Sequence, residues 1–211
     1  MNPLRLSPWP ESPPRPWTEV FGREAPLEVD IGFGRGHFLL DRAAQAPQVN
    51  LVGIELRRKW VATVRSQIER LHLENARVLE GEAARLIAHH FQPGEVHRFY
   101  VFFPDPWWKR RHQKRRLFNP EFAALLSSRL APGGRLFAQS DVWSYATEIL
   151  ALLEATPGLR NARGPFQLGP WEEDLPLSPR ERRCRQDGVP CYQMAFVRGD
   201  EGPGVHRLAS P

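Results

Sequence analysis

Asp105 stands between Pro104 and Pro106, after the apolar run "RFYVFF" and before Trp107 and Trp108. In the stretch that follows, 109–116, six of eight residues are lysine or arginine. A carboxylate between two residues of fixed φ is held stiffly enough to orient a hydrogen-bonding or cationic ligand. The tryptophans offer a stacking wall, and Lys109, Arg110, Arg111, Lys114, Arg115 and Arg116 can neutralise several phosphates. Each piece alone has an ordinary use: a tryptophan packs, a basic run coats a solvated face, an aspartate between prolines makes a turn. Gathered at the end of one apolar run, they point to chemistry on a nucleic acid.

A second group lies in "VDIGFGRGHFLL", residues 29–40. Gly32, Gly34 and Gly36 let backbone approach a ligand at the start of a helix. A dinucleotide-binding fingerprint needs its third glycine at position 37, where this chain has His37. The tighter G-x-G-x-G spacing after Asp30 resembles the first loop of class I S-adenosylmethionine-dependent methyltransferases. That cofactor is a cation, and Asp30 suits its ammonium group; the competing use is a glycine turn needed only for strand-to-helix packing. Glu55, nineteen residues after Gly36, can accept from both hydroxyls of a ribose. NAD enzymes share that position, and an acid in the first turn of a helix is the plain alternative. Arg57 and Arg58 would serve a 2'-phosphate, which Glu55 would repel. Glu82 in "LEGEAARL" fits either an adenine contact or a helix N-terminal acid, with Glu80 as a substitute.

Something must bring these groups together. With 211 residues and a formal net charge of +5, the chain fits one domain with short appended arms and favours a polyanionic partner. Short apolar runs alternate with longer helical periodicity, which predicts an α/β fold: a doubly wound, mostly parallel seven-stranded sheet. Strands are expected at 27–32, 51–55, 76–79, 98–103 and 135–139, with weaker ones near 160–166 and 192–198. The clearest helices are expected at 37–46, 57–71, 120–130 and 142–155. Asn119 before Pro120 reads as a helix start, and "APGG" at 131–134 as its stop. Residues 1–26 carry seven prolines and read as an extended arm that drapes over the fold or orders on a partner. Residues 27–198 are the expected methyltransferase domain, and 199–211 a flexible tail. Cys184 and Cys191 are too few for a disulfide framework, and no zinc-site spacing occurs, so no metal is expected. With no long apolar run, the expectation is a soluble cytoplasmic protein without a membrane partner, monomeric or homodimeric.

"FFPDPWWKRRHQKRR", taken with "IGFGRG" and "VGIE", resembles the bacterial tRNA (guanine-N7)-methyltransferase family, from about residue 27 to residue 198. The resemblance implies S-adenosylmethionine as cofactor, with contacts at Asp30, Glu55, Glu82 and Asp105. It implies substrate contacts at Lys109 and Asp141, and RNA contact along Arg111, His112, Gln113, Lys114, Arg115 and Arg116. Asp141 has a second reading, as the N-cap of the helix that follows. In the family's late substrate-facing segment, Ser178 and Glu181 fit the pattern while Pro179 and Arg180 depart from it. The missing aromatic leaves Arg180 to stack on a base or grip phosphate.

The implied reaction is methylation of guanine 46 in the tRNA variable loop to 7-methylguanosine. Guanine N7 has an exposed lone pair at neutral pH, so no general base is required. Alignment at roughly 3 Å is required instead, with carboxylates such as Asp105 and Asp141 to accept from N1–H and the amino group. An A-form major groove hides N7, so the target must be a loop or splayed base. Three rivals remain: a silent RNA-binding protein on this fold, an NAD(P)-dependent oxidoreductase, and a methyltransferase for another RNA base or a protein.

Overall fold

The alternating pattern folds as expected, and the computed structural model describes residues 15–107, 110–171 and 174–199. The strands are β1 (Leu27–Ile31), β2 (Asn50–Glu55), β3 (Ala76–Glu80), β4 (Val96–Phe102), β5 (Leu130–Ser140), β6 (Leu159–Asn161) and β7 (Tyr192–Arg198). They form one sheet of order β3-β2-β1-β4-β5-β7-β6, parallel from β3 through β5, with β7 antiparallel to both β5 and β6. The helices are α1 (Trp17–Phe21), α2 (His37–Gln45), α3 (Arg58–Arg70), α4 (Ala83–His90), α5 (Pro120–Arg129), α6 (Trp143–Glu154) and α7 (Pro179–Asp187).

Both faces of the sheet are covered, as a parallel sheet requires. Phe38, Leu39 and Ala43 of α2 pack with Val61, Val64 and Ile68 of α3 on one face, against Leu51, Tyr100 and Phe137. Ile87 of α4, Phe122 and Leu126 of α5, and Tyr145 and Ile149 of α6 pack on the other, against Val29, Ile31, Val101 and Leu136. Glu28 breaks the apolar pattern of β1. It is 2% exposed, accepts two hydrogen bonds from Arg42 at 2.8 Å each, and accepts a third from the Tyr100 hydroxyl at 2.8 Å. This buried pairing ties α2 to β1 and β4.

Local features differ from the expectations, among them the strand expected near 160–166, which is only Leu159–Asn161. Trp17–Phe21 is a helix rather than extended backbone: a proline is tolerated at a helix start, and Trp17 is anchored in the core. Its indole N–H donates to the His90 carbonyl at 3.0 Å and its ring lies 5.0 Å from that of Phe91. The segment at 131–134 belongs to β5 rather than only ending α5, because register shifts between Val96↔Leu130 and Arg98↔Arg135. A Cβ on Gly134 would lie 2.8 Å from the Ala131 carbonyl oxygen, so that bulge admits only glycine. Helix α7 has no apolar stripe to reveal it; it is set by its caps, with Ser178 Oγ accepting from Glu181 N at 3.2 Å and Gly188 in the left-handed region. Expectations on residues 1–14 and 200–211 lie outside the described residues.

Candidate active site

Strand order reverses direction between β1 and β4, and in doubly wound sheets the carboxyl ends of the strands open a crevice at that point. A cavity of about 940 Å³ lies there, lined by Gly32, Gly34, Glu55, Glu82, Asp105, Trp107 and Arg115 among others. That volume falls within the ~300–1,000 Å³ of small-molecule sites.

The glycines differ in what surrounds them. Gly32 and Gly34 line the cavity. Gly36 does not; its φ is 78°, and an added Cβ would fall 2.4 Å from Val64 Cγ2. The first two leave open space at the cavity wall, and packing of the loop on α3 accounts for the third.

Glu55 is buried at the end of β2, where Oε2 accepts from Gly34 N at 3.0 Å and Oε1 from Arg57 N at 2.9 Å. It fastens the glycine loop and, because a carboxylate offers about four acceptor positions, retains two for a ligand. Glu82 caps α4 by accepting from Ala84 N and Arg85 N at 3.0 Å each, and it lines the cavity. Asp30 is buried and outside the cavity lining, and its Oδ2 has no hydrogen-bond partner. Burial first, and the neighbouring Glu55 second, push its carboxyl up to about 8. A cation arriving beside it would restore the carboxylate.

Asp105 is exposed on the cavity wall. The loop that carries it is strained on both sides, with φ of 52° at Phe103 and 43° at Trp107; such conformations cost roughly 1–3 kcal/mol each and concentrate at functional sites. The Trp107 ring is met edge-on by His112 at 5.8 Å and capped by the Arg115 guanidinium at 5.4 Å. Residues Arg110–Arg115 form a 3-10 helix, with Arg111 and Arg115 exposed.

Arg116 is engaged within the protein. Its Nε donates to the Pro106 carbonyl at 2.8 Å, its guanidinium lies 4.7 Å from the Tyr145 ring centroid, and it pairs with Glu148. The chain dives toward buried Phe118 just after it, which turns Arg116 inward as the strut of the Asp105 loop. Lys109 and the side chains of Gln113 and Lys114 lie outside the described residues.

Asp141, Ser178 and Glu181 do not line the cavity; they meet at the ends of β5 and β7. Asp141 does not cap α6: Val142 holds the N-cap position and no side chain accepts from the first turn. The Asp141 carboxylate instead accepts from Arg180 Nε at 2.9 Å. Glu181 is 2% exposed and accepts from Arg185 at 2.7 Å and from Gln193 Nε2 at 3.2 Å. Sequence reasoning missed the cavity's apolar wall, where Leu56, Phe102, Leu117 and Leu125 stand. Apolar strand and helix ends look the same whether they face a core or a ligand.

The methyltransferase family model Methyltransf_4 matches residues 24–194. A tRNA (guanine-N7)-methyltransferase of Alkalilimnicola ehrlichii is 40% identical over 92% of this chain and 81% of its own length. One from Myxococcus xanthus is 36% identical over 89% and 90%. The chain belongs to the bacterial tRNA (guanine-N7)-methyltransferase family. Solved structures with the same fold include an aminoglycoside resistance methyltransferase (TM-score 0.58, 16% identity, 86% of this chain and 91% of that one). Another is an S-adenosylmethionine-dependent methyltransferase from Aquifex aeolicus (TM-score 0.57, 14% identity, 86% and 87%). For this tRNA (guanine-N7)-methyltransferase family member, those likenesses establish the class I methyltransferase fold. Among the described residues, no helix is long and apolar enough to cross a membrane and no cluster of three or more His, Cys, Asp or Glu could hold a metal ion.

Proposed function

We propose that this chain methylates N7 of guanine 46 in the tRNA variable loop, giving 7-methylguanosine in the cytoplasm, and that residues 27–198 are its catalytic unit. The observation that carries this reading is the convergence of Gly32, Gly34, Glu55, Glu82 and Asp105 on one cavity, with Trp107 and Arg115 at the same wall. S-adenosylmethionine, when bound, supplies an electrophilic methyl carbon on a sulfonium centre. The residues present suit such a cation: Glu55, Glu82, Asp105 and Glu121 line the cavity, Asp30 lies behind it, and the buried Asp30 Oδ2 lacks a partner. Glu55 and Glu82 have acceptor capacity for ribose and adenine, and Leu56, Phe102 and Leu125 exclude water around the purine.

Asp105 is the residue we assign to the reacting centre. It removes no proton, since N7 carries none; it accepts hydrogen bonds and offsets positive charge developing on the purine. Asp141, held by Arg180, with Ser178 and Glu181, is the group we assign to substrate contact, and Lys109 is assigned there from the family resemblance alone. Arg111 and Arg115 meet the RNA backbone.

The test is incubation of purified protein with unmodified tRNA and methyl-labelled S-adenosylmethionine, followed by nucleoside analysis and mapping of the labelled position. Label in variable-loop 7-methylguanosine is expected. Label on another base overturns the base assignment, and no label despite binding of both ligands favours a silent RNA-binding protein.

A further inference from the structure

A second basic group lies across the cavity from the Asp105 loop. Arg35, within the glycine loop, and Arg57, Arg58 and Lys59, at the start of α3, are all exposed. The Arg35 guanidinium lies 5.3 Å, and the Lys59 Nζ 5.5 Å, from the centroid of the half-buried Trp60 ring. Among the described residues, none of these four cations has an acidic partner, whereas Arg42, Arg116, Arg180, Arg182, Arg183 and Arg185 all do. The first turn of α3 holds no acid, and Glu55 is directed onto backbone N–H groups. Like charges gathered this closely repel, and a surface with no anionic partner is better served by mixed signs. The indole holds two of the cations in place by cation–π attraction, so ordering them on a phosphate loses less side-chain entropy. Leu56 and Arg57 line the cavity itself. The patch therefore begins where the cavity wall ends on the β2 side, as Arg115 does on the β4 side.

We propose that Arg35 and Lys59, held on Trp60, together with the neighbouring exposed Arg58, form a second RNA-backbone docking surface, so that the RNA straddles the cavity instead of being held from the Asp105 side alone. The inference rests on the tRNA methyltransferase reading above. Each phosphate contact contributes about −0.7 to −0.9 to the slope of log affinity against log salt. For two contacts, the loss of affinity between ~50 and ~200 mM salt shrinks by about 7- to 12-fold.

The experiment measures tRNA binding across that salt range for the wild type, R58A/K59A, R35A and R111A/R115A. Affinity for S-adenosylhomocysteine and the circular dichroism spectrum serve as controls for R58A/K59A. A shallower slope in R58A/K59A, with both controls unchanged, is the expected result, and R35A should show a smaller change in the same direction. A wild-type slope in R58A/K59A and R35A, alongside a reduced one in R111A/R115A, overturns the second surface while leaving the methyltransferase reading intact. If the slope falls as expected but the wild type leaves tRNA unmethylated, the surface stands and the activity assignment fails.

Discussion

Asp30→Asn tests the electrostatics of the cavity without touching its wall. Asp30 is 3% exposed, its Oδ2 is unpartnered, and its carboxyl is raised from 3.8 to about 8. The folded state therefore keeps a proton that the unfolded chain releases near pH 4. Between about pH 4 and about pH 8 the native state binds more protons than the unfolded state, so this group's contribution to stability is greatest at low pH and declines as pH rises, levelling off above about 8. At about 1.4 kcal/mol per unit, the full decline is on the order of 5 kcal/mol, most of it complete by pH ~7. Against a typical total of about 5–15 kcal/mol, that is a large fraction. Asparagine keeps the shape and does not titrate. Denaturant unfolding of ligand-free wild type and D30N from about pH 5 to about pH 8 should show a gap that widens by about 1.4 kcal/mol per pH unit in favour of the variant. A cationic ligand acts in the opposite sense, pulling the carboxyl back to its ionised form. Cofactor binding near neutral pH should therefore release up to one proton, measurable by calorimetry in buffers of different ionisation enthalpy, and D30N should release fewer. Parallel stability curves with equal proton release would refute the reasoning, because the Asp30 carboxyl would then be ionised and satisfied in the free protein.

Glu28→Ala removes the acceptor of Arg42 and Tyr100 and leaves a guanidinium nearly buried; unfolding measurements should show a loss of about 3–5 kcal/mol. Gly36→Ala meets both a φ of 78° and Val64 Cγ2 at 2.4 Å. It should cost more than the ~1–3 kcal/mol of the backbone strain alone, and adding Val64→Ala should relieve the clash while leaving the strain, which thermal melts of the single and double variants can separate. Asp105→Ala should lower single-turnover methylation of tRNA roughly 100-fold or more with an unchanged melting temperature, and near-wild-type rates would remove Asp105 from the reacting centre. Arg180→Ala breaks an ion pair whose arginine is half exposed; it should change stability by no more than about 1 kcal/mol but raise KM for tRNA if Asp141 must be held for the substrate.

Local spacing made much of the site legible. Gly32, Gly34 and Glu55 occupy the positions their spacing implies, and "PDP" places Asp105 on the cavity wall. Where one residue type has two ordinary uses, spacing left both open. Glu82 proved to be a helix cap on the cavity wall, Gly36 a packing glycine, and Asp141 the partner of Arg180 rather than a cap. The basic run read as uniform, yet Arg116 turns inward while Arg111 and Arg115 stay exposed.

The sequence by itself determined the alternating α/β pattern, the cofactor loop and the acid–aromatic–basic segment, because each depends on neighbours within a few residues along the chain. Only the tertiary structure decided which charges are free and which are committed. The deciding partners stand far away in sequence, Glu28 with Tyr100, Arg116 with Glu148 and Asp141 with Arg180, and they meet only once the sheet has set its strand order and its helices have packed against it.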